Sequence, residues 1–249
     1  MKQTTLPDAL KDEDIRIRAS AIIELGKTGQ REAIKPLTAI LEDRDEVDWL
    51  RACAAIALGR ISGDEVIPPL FNALREDSIM VSRSAILALG DVKSEQAIQP
   101  LKEVFDNSSK KELHALTIKI LGRIGGRESI SLLIQALESA NSRVRCNAAL
   151  ALGELRVGQA VTSLVKLLDD DDECLRAVTA SSLGLIGDKR AVGPLIEALT
   201  DNSETVRTIV VSSLGYLGDS RAIEPLEKVL DDESQQVRSQ SAIALDKLR

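Results

Sequence analysis

RAIEPLEKVLDDESQQVRSQSAIAL, Arg221 to Leu245, holds two helical patterns separated by a polar turn. The first pattern has Ile223, Leu226, Val229 and Leu230 at three-to-four spacing, and the second has Val237, Ser241, Ala242 and Leu245. Each row makes one face of an amphipathic helix. RAVGPLIEALTDNSETVRTIVVSSLG, Arg190 to Gly215, is a near copy. Between its helices, Leu199-Thr-Asp-Asn-Ser-Glu offers side chains that cap the first N–H groups of the second helix, and Gly187-Asp188 and Gly218-Asp219 offer left-handed ends.

The pattern fills the chain. Aligned on the glycine of the Ala-Leu-Gly motif, the repeats place Gly26, Gly59, Gly90, Gly122, Gly153, Gly184 and Gly215 in register, with Asp246 in the eighth place, at spacings of 31 to 33 residues. A fixed period of this size marks a solenoid, whose repeats bury their apolar faces only against their neighbours. The whole of 1–249 therefore reads as one array, with repeats near 1–29, 30–62, 63–93, 94–125, 126–157, 158–187, 188–218 and 219–249. Prolines recur at Pro36, Pro69, Pro100, Pro194 and Pro225, where each kinks the first helix or sits in its opening turns. A glycine inside the second helix costs about 1 kcal/mol relative to alanine, so close helix approach is the expected compensation.

Composition narrows the function classes. The chain has 44% hydrophobic and 29% charged residues, and no apolar run approaches the length of a membrane span. Its start, MKQTTLPDALKDED, lacks a signal-peptide pattern, and a cytoplasmic protein is expected. Cys53, Cys146 and Cys174 form no CxxC pair, so reduced thiols packed as small residues are expected. Aromatics make up 2% of the residues, leaving the core to Leu, Ile, Val and Ala. A net charge of −7 and few aromatics disfavour a nucleic-acid binder. No glycine-rich phosphate loop, Gly-x-Ser-x-Gly elbow or placed acid pair is present, so no catalytic residue, cofactor or metal site is expected. The acidic run Asp169 to Glu173 reads as a cap and a solvated turn.

The consensus VRxxAAxALGxIGDxRAIxPLxxxL resembles the HEAT-like repeats first recognised in phycobilisome bilin lyases. The resemblance implies an all-α fold: a right-handed α-α superhelix, or solenoid, of about eight HEAT-like helical pairs, with the first helix of each pair convex and the second lining a concave side. It also implies a ladder of charged residues. Eight residues before each glycine stand Arg18, Arg51, Ser82, His114, Arg145, Arg176, Arg207 and Arg238, and Asp12, Asp45, Asp170, Asp201 and Asp232 stand six before five of them. In the family such pairs link repeat to repeat, a task that suits the planar arginine fork. Ser82 and His114 break the series, and repeat four carries an extra residue in Phe105-Asp-Asn-Ser-Ser-Lys-Lys-Glu-Leu-His114. His114, the single histidine, therefore reads as a substituted rung, and Ser82 to Arg145 as an irregular seam. The di-iron chemistry of the deoxyhypusine hydroxylases, another branch of these repeats, needs several histidines and is excluded.

Helical spacing places one stripe of each second helix on the expected groove. It holds Ile23, Lys27, Trp49, Cys53, Ile56, Arg60, Met80, Leu87, Lys119, Arg123, Arg143, Leu150, Val178, Leu185, Ile209 and Tyr216 as candidate partner-binding residues. Arg16, Lys247 and Ile243 extend it, while Asp91, Glu112 and Glu154 are its acidic members. Seven basic residues against three acidic ones make a basic face on an acidic chain. Exposed apolar surface rimmed by charge marks a protein-binding site. The expected function is a non-catalytic scaffold, adaptor or chaperone holding an acidic protein partner, with Trp49 and Tyr216 as anchors. Its alternatives are a bilin lyase subunit or phycobiliprotein-associated chaperone and, more remotely, an accessory protein in metal-cluster assembly. A polar cap is expected over Met1–Leu10, and another where Gln235, Gln236, Gln240 and Asp246 replace apolar residues.

Overall fold

A computed structural model describes residues 6–249, and every regular element in it is helical. Residues 1–5 of the expected first cap lie outside the described residues. The chain divides into two compact halves at Gly126/Arg127, within the stretch from Ser82 to Arg145.

In the first half, the short α1 (Leu6–Ala9) precedes α2 (Ile15–Thr28), α3 (Ile34–Glu42), α4 (Asp48–Ile61), α5 (Ile67–Leu74), α6 (Ile79–Val92), α7 (Ile98–Asp106) and α8 (Lys111–Ile124). The even-numbered helices pack successively, α2 on α4, α4 on α6 and α6 on α8. The odd-numbered helices α3, α5 and α7 each pack against the next even one. The second half, opened by α9 (Gly126–Ala136), repeats the plan through α10 (Ser142–Glu154), α11 (Val161–Val165), α12 (Glu173–Ile186), α13 (Val192–Glu197), α14 (Glu204–Leu217), α15 (Ile223–Lys228) and α16 (Gln235–Leu248). There α10, α12, α14 and α16 pack in turn.

The sequence explains the joints. The five repeated prolines each stand third in their helix, directly after a single 3-10 turn such as Arg31–Ala33 or Lys189–Ala191. The N–H that proline lacks falls among the four that a helix start leaves without partners, so proline begins the first helix and costs it no bond. Between the pairs, Asp14, Ser78, Asn141, Asp172, Ser203 and Ser234 accept first-turn N–H groups of the second helices. Gly187 and Gly218 close α12 and α14 with φ of 78° and 64°.

The core is aliphatic. Leu37, Leu41, Leu50, Leu58, Leu70, Ile86 and Leu89 are fully buried in the first half, as are Leu164, Leu183, Leu195, Val210 and Leu214 in the second. Two residues of the opening pattern face outward: Ala242 and Leu230 are exposed, and Ala244 takes the buried place. Ala244 is buried because Gly215 of the preceding helix lies against it, a contact invisible within one repeat.

That contact recurs. A Cβ at Gly59 would lie 2.6 Å from the Ala88 Cα, and one at Gly26 2.8 Å from the Ala57 Cα. Ser182 and Ser213 stand equally close to Gly153 and Gly184. Gly193, by contrast, has open space where a Cβ would stand. Gly59→Ala is therefore expected to lower stability by about 1–3 kcal/mol through overpacking, while Gly193→Ala leaves it unchanged or slightly raised through helix propensity. Urea unfolding of the two variants checks the contrast.

Candidate functional site

The charged residues before each second helix form bonded rungs, best seen in the second half. Arg176 Nε and Nη2 donate to the Asp201 carboxylate of the next repeat at 2.7 and 3.0 Å, and Nη1 donates to the Asp170 carbonyl of its own turn at 2.9 Å. Arg207 does the same with Asp232, at 2.8 and 3.0 Å, and with the Asp201 carbonyl at 2.8 Å. Arg145 reaches Asp170 at 2.8 Å and the Ser139 carbonyl at 2.8 Å, so the serine there costs nothing: its main chain, not its side chain, is the acceptor. Arg238 keeps the bond to the Asp232 carbonyl. Each acid thus serves twice, its carboxylate reaching back to the preceding arginine and its carbonyl to its own. Burial is the largest influence on Asp201 and opposes its ionisation, but the Arg176 bond, the Ser203 N–H and the charges of Arg176 and Arg207 together outweigh it and hold the carboxyl below its ordinary value. The Arg207 bond does the same for Asp232.

The first half departs from this scheme. Arg18 keeps its bond to the Asp12 carbonyl, but its fork grips Glu46, at 3.0 Å through both Nε and Nη2, and Asp45 stays exposed. Repeat two is the longest, and its surplus residues lie in the turn between α3 and α4, which moves Asp45 off the rung. Arg51 binds Glu76 and the Leu41 carbonyl.

At the third rung Ser82 is too short to reach the next repeat, and Lys110 replaces the missing cation from the other side. Its Nζ donates to the Leu74 carbonyl at 2.5 Å, the Glu76 carbonyl at 2.6 Å and Ser82 Oγ at 3.1 Å. The Glu76 carbonyl is the one an arginine at 82 would cap. Burial pulls the Lys110 ammonium below its ordinary pKa, with Asp77, Glu112 and Glu76 pulling the other way. At the fourth rung the ring of His114 bonds the Asn107 carbonyl at 3.0 Å. A carbonyl only accepts, so Nε2 carries the proton. The ring also packs against Phe105, with centroids 5.3 Å apart. His114 thus holds the place of the arginine Nη1.

The candidate partner-binding residues all lie on the second helices and are exposed or half-buried. In the first half Ile23, Cys53, Ile56, Ala57 and Arg60 line a depression of about 230 Å³ between α2 and α4. Leu87 continues the apolar row on α6, and Lys119 and Arg123 stand exposed on α8. Trp49 and Met80 mark the opposite, N-terminal edge of the same face. In the second half Leu150, Leu185 and Ile243 are exposed, and Val178 and Ile209 are half-buried. Tyr216 is 75% exposed beneath the ammonium of Lys247, 4.9 Å from its ring. Acids offset part of the stripe's basic charge: off the stripe Asp14 holds Arg16 and Glu24 holds Lys27, and on it Asp91 holds Arg123. Arg60, Lys119, Arg143 and, over the Tyr216 ring, Lys247 remain as its exposed cations. Burial raises the Cys53 and Cys146 thiols, which makes them poor nucleophiles. Among the described residues no three His, Cys, Asp or Glu side chains gather as a metal site.

Rungs, glycine contacts and helical pairs recur together, and the family model described as HEAT repeats matches residues 3–55, 44–116, 104–184 and 161–246. The chain belongs to the HEAT-repeat family. No curated protein matches it. Among solved structures, YibA of E. coli is similar over all of this chain and 92% of its own, at 24% identity and a TM-score of 0.69. The complex of CpcE and CpcF of phycocyanin lyase from Nostoc sp. PCC7120 is similar over 98% of this chain and 93% of its own, at 26% identity and a TM-score of 0.52. Kap95p, whose binding induces the switch loops of RanGDP to adopt the GTP-bound conformation, matches 98% of this chain with 39% of its own, at 17% identity and a TM-score of 0.66. A HEAT-repeat solenoid is the architecture of a protein-interaction scaffold, and no helix among the described residues is long and apolar enough to cross a membrane.

Sequence spacing missed two residues of the HEAT ladder, Glu46 and Lys110. Both lie in the turns that make repeats two and four longer than 31 residues, so excess length was the available signal. Removing the Lys110 ammonium leaves the Leu74 and Glu76 carbonyls to share the single hydroxyl proton of Ser82. Lys110→Met is expected to cost about 1–3 kcal/mol. Adding Ser82→Arg to that variant restores a donor to the Glu76 carbonyl and recovers more than half of the loss, as a double-mutant cycle in urea measures.

Proposed function

We propose that this chain is a non-catalytic scaffold or chaperone that holds an acidic protein partner against its second-helix face. The observation that carries the proposal is the solvent-facing apolar row of exposed Ile23 and half-buried Ile56 and Leu87 beside the cations Arg60 and Lys119, with an open depression at Ile56. Folding alone favours polar residues at such exposed positions. Apolar surface supplies affinity when a partner covers it, while a basic rim speeds the encounter with an acidic partner and selects for it. Tyr216, rigid and exposed with a cation already on its ring, suits an anchor in the second half.

The test is capture of partners from an extract of the source organism by the tagged protein, compared with Ile56→Asp, Arg60→Glu and Tyr216→Ala. Partners held through this face are lost from the variants and are eluted from the parent by salt. Retention equal to that of the parent in all three variants overturns the proposal.

The likeness to the phycocyanin lyase complex favours a second reading, in which the partner is a phycobiliprotein subunit and the chain is a lyase component or its chaperone. Mixing the protein with a phycobiliprotein subunit and free bilin then changes the bilin absorbance beyond what the subunit alone produces. An unchanged spectrum removes this reading and leaves the scaffold proposal intact.

A further inference from the structure

Six second helices have a polar side chain before their first turn that accepts a first-turn N–H: Asp14, Ser78, Asn141, Asp172, Ser203 and Ser234. Val47 stands in that place before α4, makes no capping bond and is 46% exposed. Valine there weakens the helix start and also leaves apolar surface in water, so the fold gains nothing from it. Local rules broken in this way are expected where function requires them.

Val47 has apolar company. Trp49 is 47% exposed, Ile79 40% and Met80 51%. Ser78 Oγ donates to Asp48 Oδ2 at 2.6 Å, which ties the first turn of α4 to that of α6 and brings the four side chains onto one edge. The matching pairs on α8, α10, α14 and α16 are polar, Lys111 and Glu112, Ser142 and Arg143, Glu204 and Thr205, and Gln235 and Gln236, while α2 carries one exposed apolar residue there, Ile15, and α12 carries Cys174. Only repeats two and three gather several exposed apolar side chains at this edge, so it is no general feature of the array.

Its electrical surroundings are acidic. Asp43, Asp45, Asp48 and Asp77 are exposed around it, with Arg44 as their basic counterweight. An open depression of about 550 Å³ lies between the turns that lead into α4 and α6, its wall balanced between Asp48, Glu76 and Asp77 and the arginines Arg44, Arg51 and Arg75, so the excess acid of this edge comes from Asp43 and Asp45 in the turn before α4. Two of the arginines on its wall are already engaged, Arg51 by Glu76 and Asp48, and Arg75 by Glu103 and the ring of Phe71.

We propose that this edge of α4 and α6 docks a basic amphipathic segment of a partner protein. Its apolar side chains cover Val47, Trp49, Ile79 and Met80, and its lysines or arginines pair with the exposed acids Asp43, Asp45 and Asp77 of the flanking turns. The charge is opposite to that of the groove rim at Arg60 and Lys119, so this is a separate surface with a separate partner chemistry.

Trp49 is the only tryptophan of the chain, so its emission reports directly on this edge. The probe is a synthetic 14-residue peptide of leucine and lysine spaced as an amphipathic helix, with a leucine and glutamate peptide of the same pattern as control. The lysine peptide is expected to shift Trp49 emission to shorter wavelength saturably and the glutamate peptide to leave it unchanged. Val47→Ser restores a capping side chain, so it is expected to raise the melting temperature by about 2 °C while weakening the lysine peptide about tenfold. Ile79→Ser weakens it similarly, and Ile56→Asp, in the groove, does not affect it, which separates this surface from the groove proposal. Equal binding of the two peptides, an unaltered affinity in Val47→Ser, or no shift with the lysine peptide overturns the proposal. So does a Trp49 shift that follows protein concentration without peptide and accompanies dimerisation in sedimentation, which makes a second copy the occupant.

Discussion

Within each half of this protein, consecutive second helices approach until there is no room for a methyl group between them. Within each half the glycine of one helix faces an alanine or serine of the next, or Ile120 in the case of Gly90, and a Cβ at the glycine would meet that neighbour at 2.6 to 3.1 Å. Much else follows from this approach. It sets the distance an arginine fork has to span between repeats, and it keeps the layer of second helices thin enough for aliphatic side chains to fill the core without aromatics. The cost of glycine inside a helix, about 1 kcal/mol each, is offset by the dispersion contacts that close approach allows.

At that spacing the rung has a defined stereochemistry. One nitrogen of the guanidinium caps a carbonyl of its own turn, and the other two bind a carboxylate one repeat ahead. Only a planar fork reaches both acceptors without strain, which explains why arginine recurs and lysine does not stand in its place. Where the fork is absent, the two tasks separate. The carbonyl of Glu76 is still capped, but by Lys110 arriving from the following repeat, and the carbonyl of Asn107 is capped by His114. A buried carbonyl left bare costs more than an ion pair gains, so capping survives substitution and the inter-repeat ion pair does not.

The same asymmetry explains what could be read from the sequence. Helical pairs, period, proline positions and the glycine row were legible because each depends on residues within one repeat, and the period multiplies a weak signal eightfold. The rung partner of Arg18 was not legible. Asp45 holds the expected spacing, but two surplus residues in its turn carry it into solvent and bring Glu46 forward. Lys110 was hidden for a related reason, since it completes a rung belonging to a different repeat and register. The exposure of Ile23 and Tyr216 and the half-burial of Ile56 follow from helical phase. The net charge of that face did not, because Asp14 and Glu24, one turn away on the same helix, engage two of the cations counted there.

A repeat array offers its own control for separating folding from binding. Each position recurs in several copies under nearly the same packing, so a residue that departs from its copies and also weakens the local structure is hard to ascribe to folding. Ser82 departs but is compensated by Lys110, and His114 departs but keeps the capping bond; both belong to the mechanics of the array. Val47 departs without compensation: it gives up the cap and leaves apolar surface exposed beside Trp49, Ile79 and Met80. Compensation at the rungs and its absence at this edge separate the two kinds of irregularity. The first preserves the stack, whereas the second has no account in the folding of the chain alone.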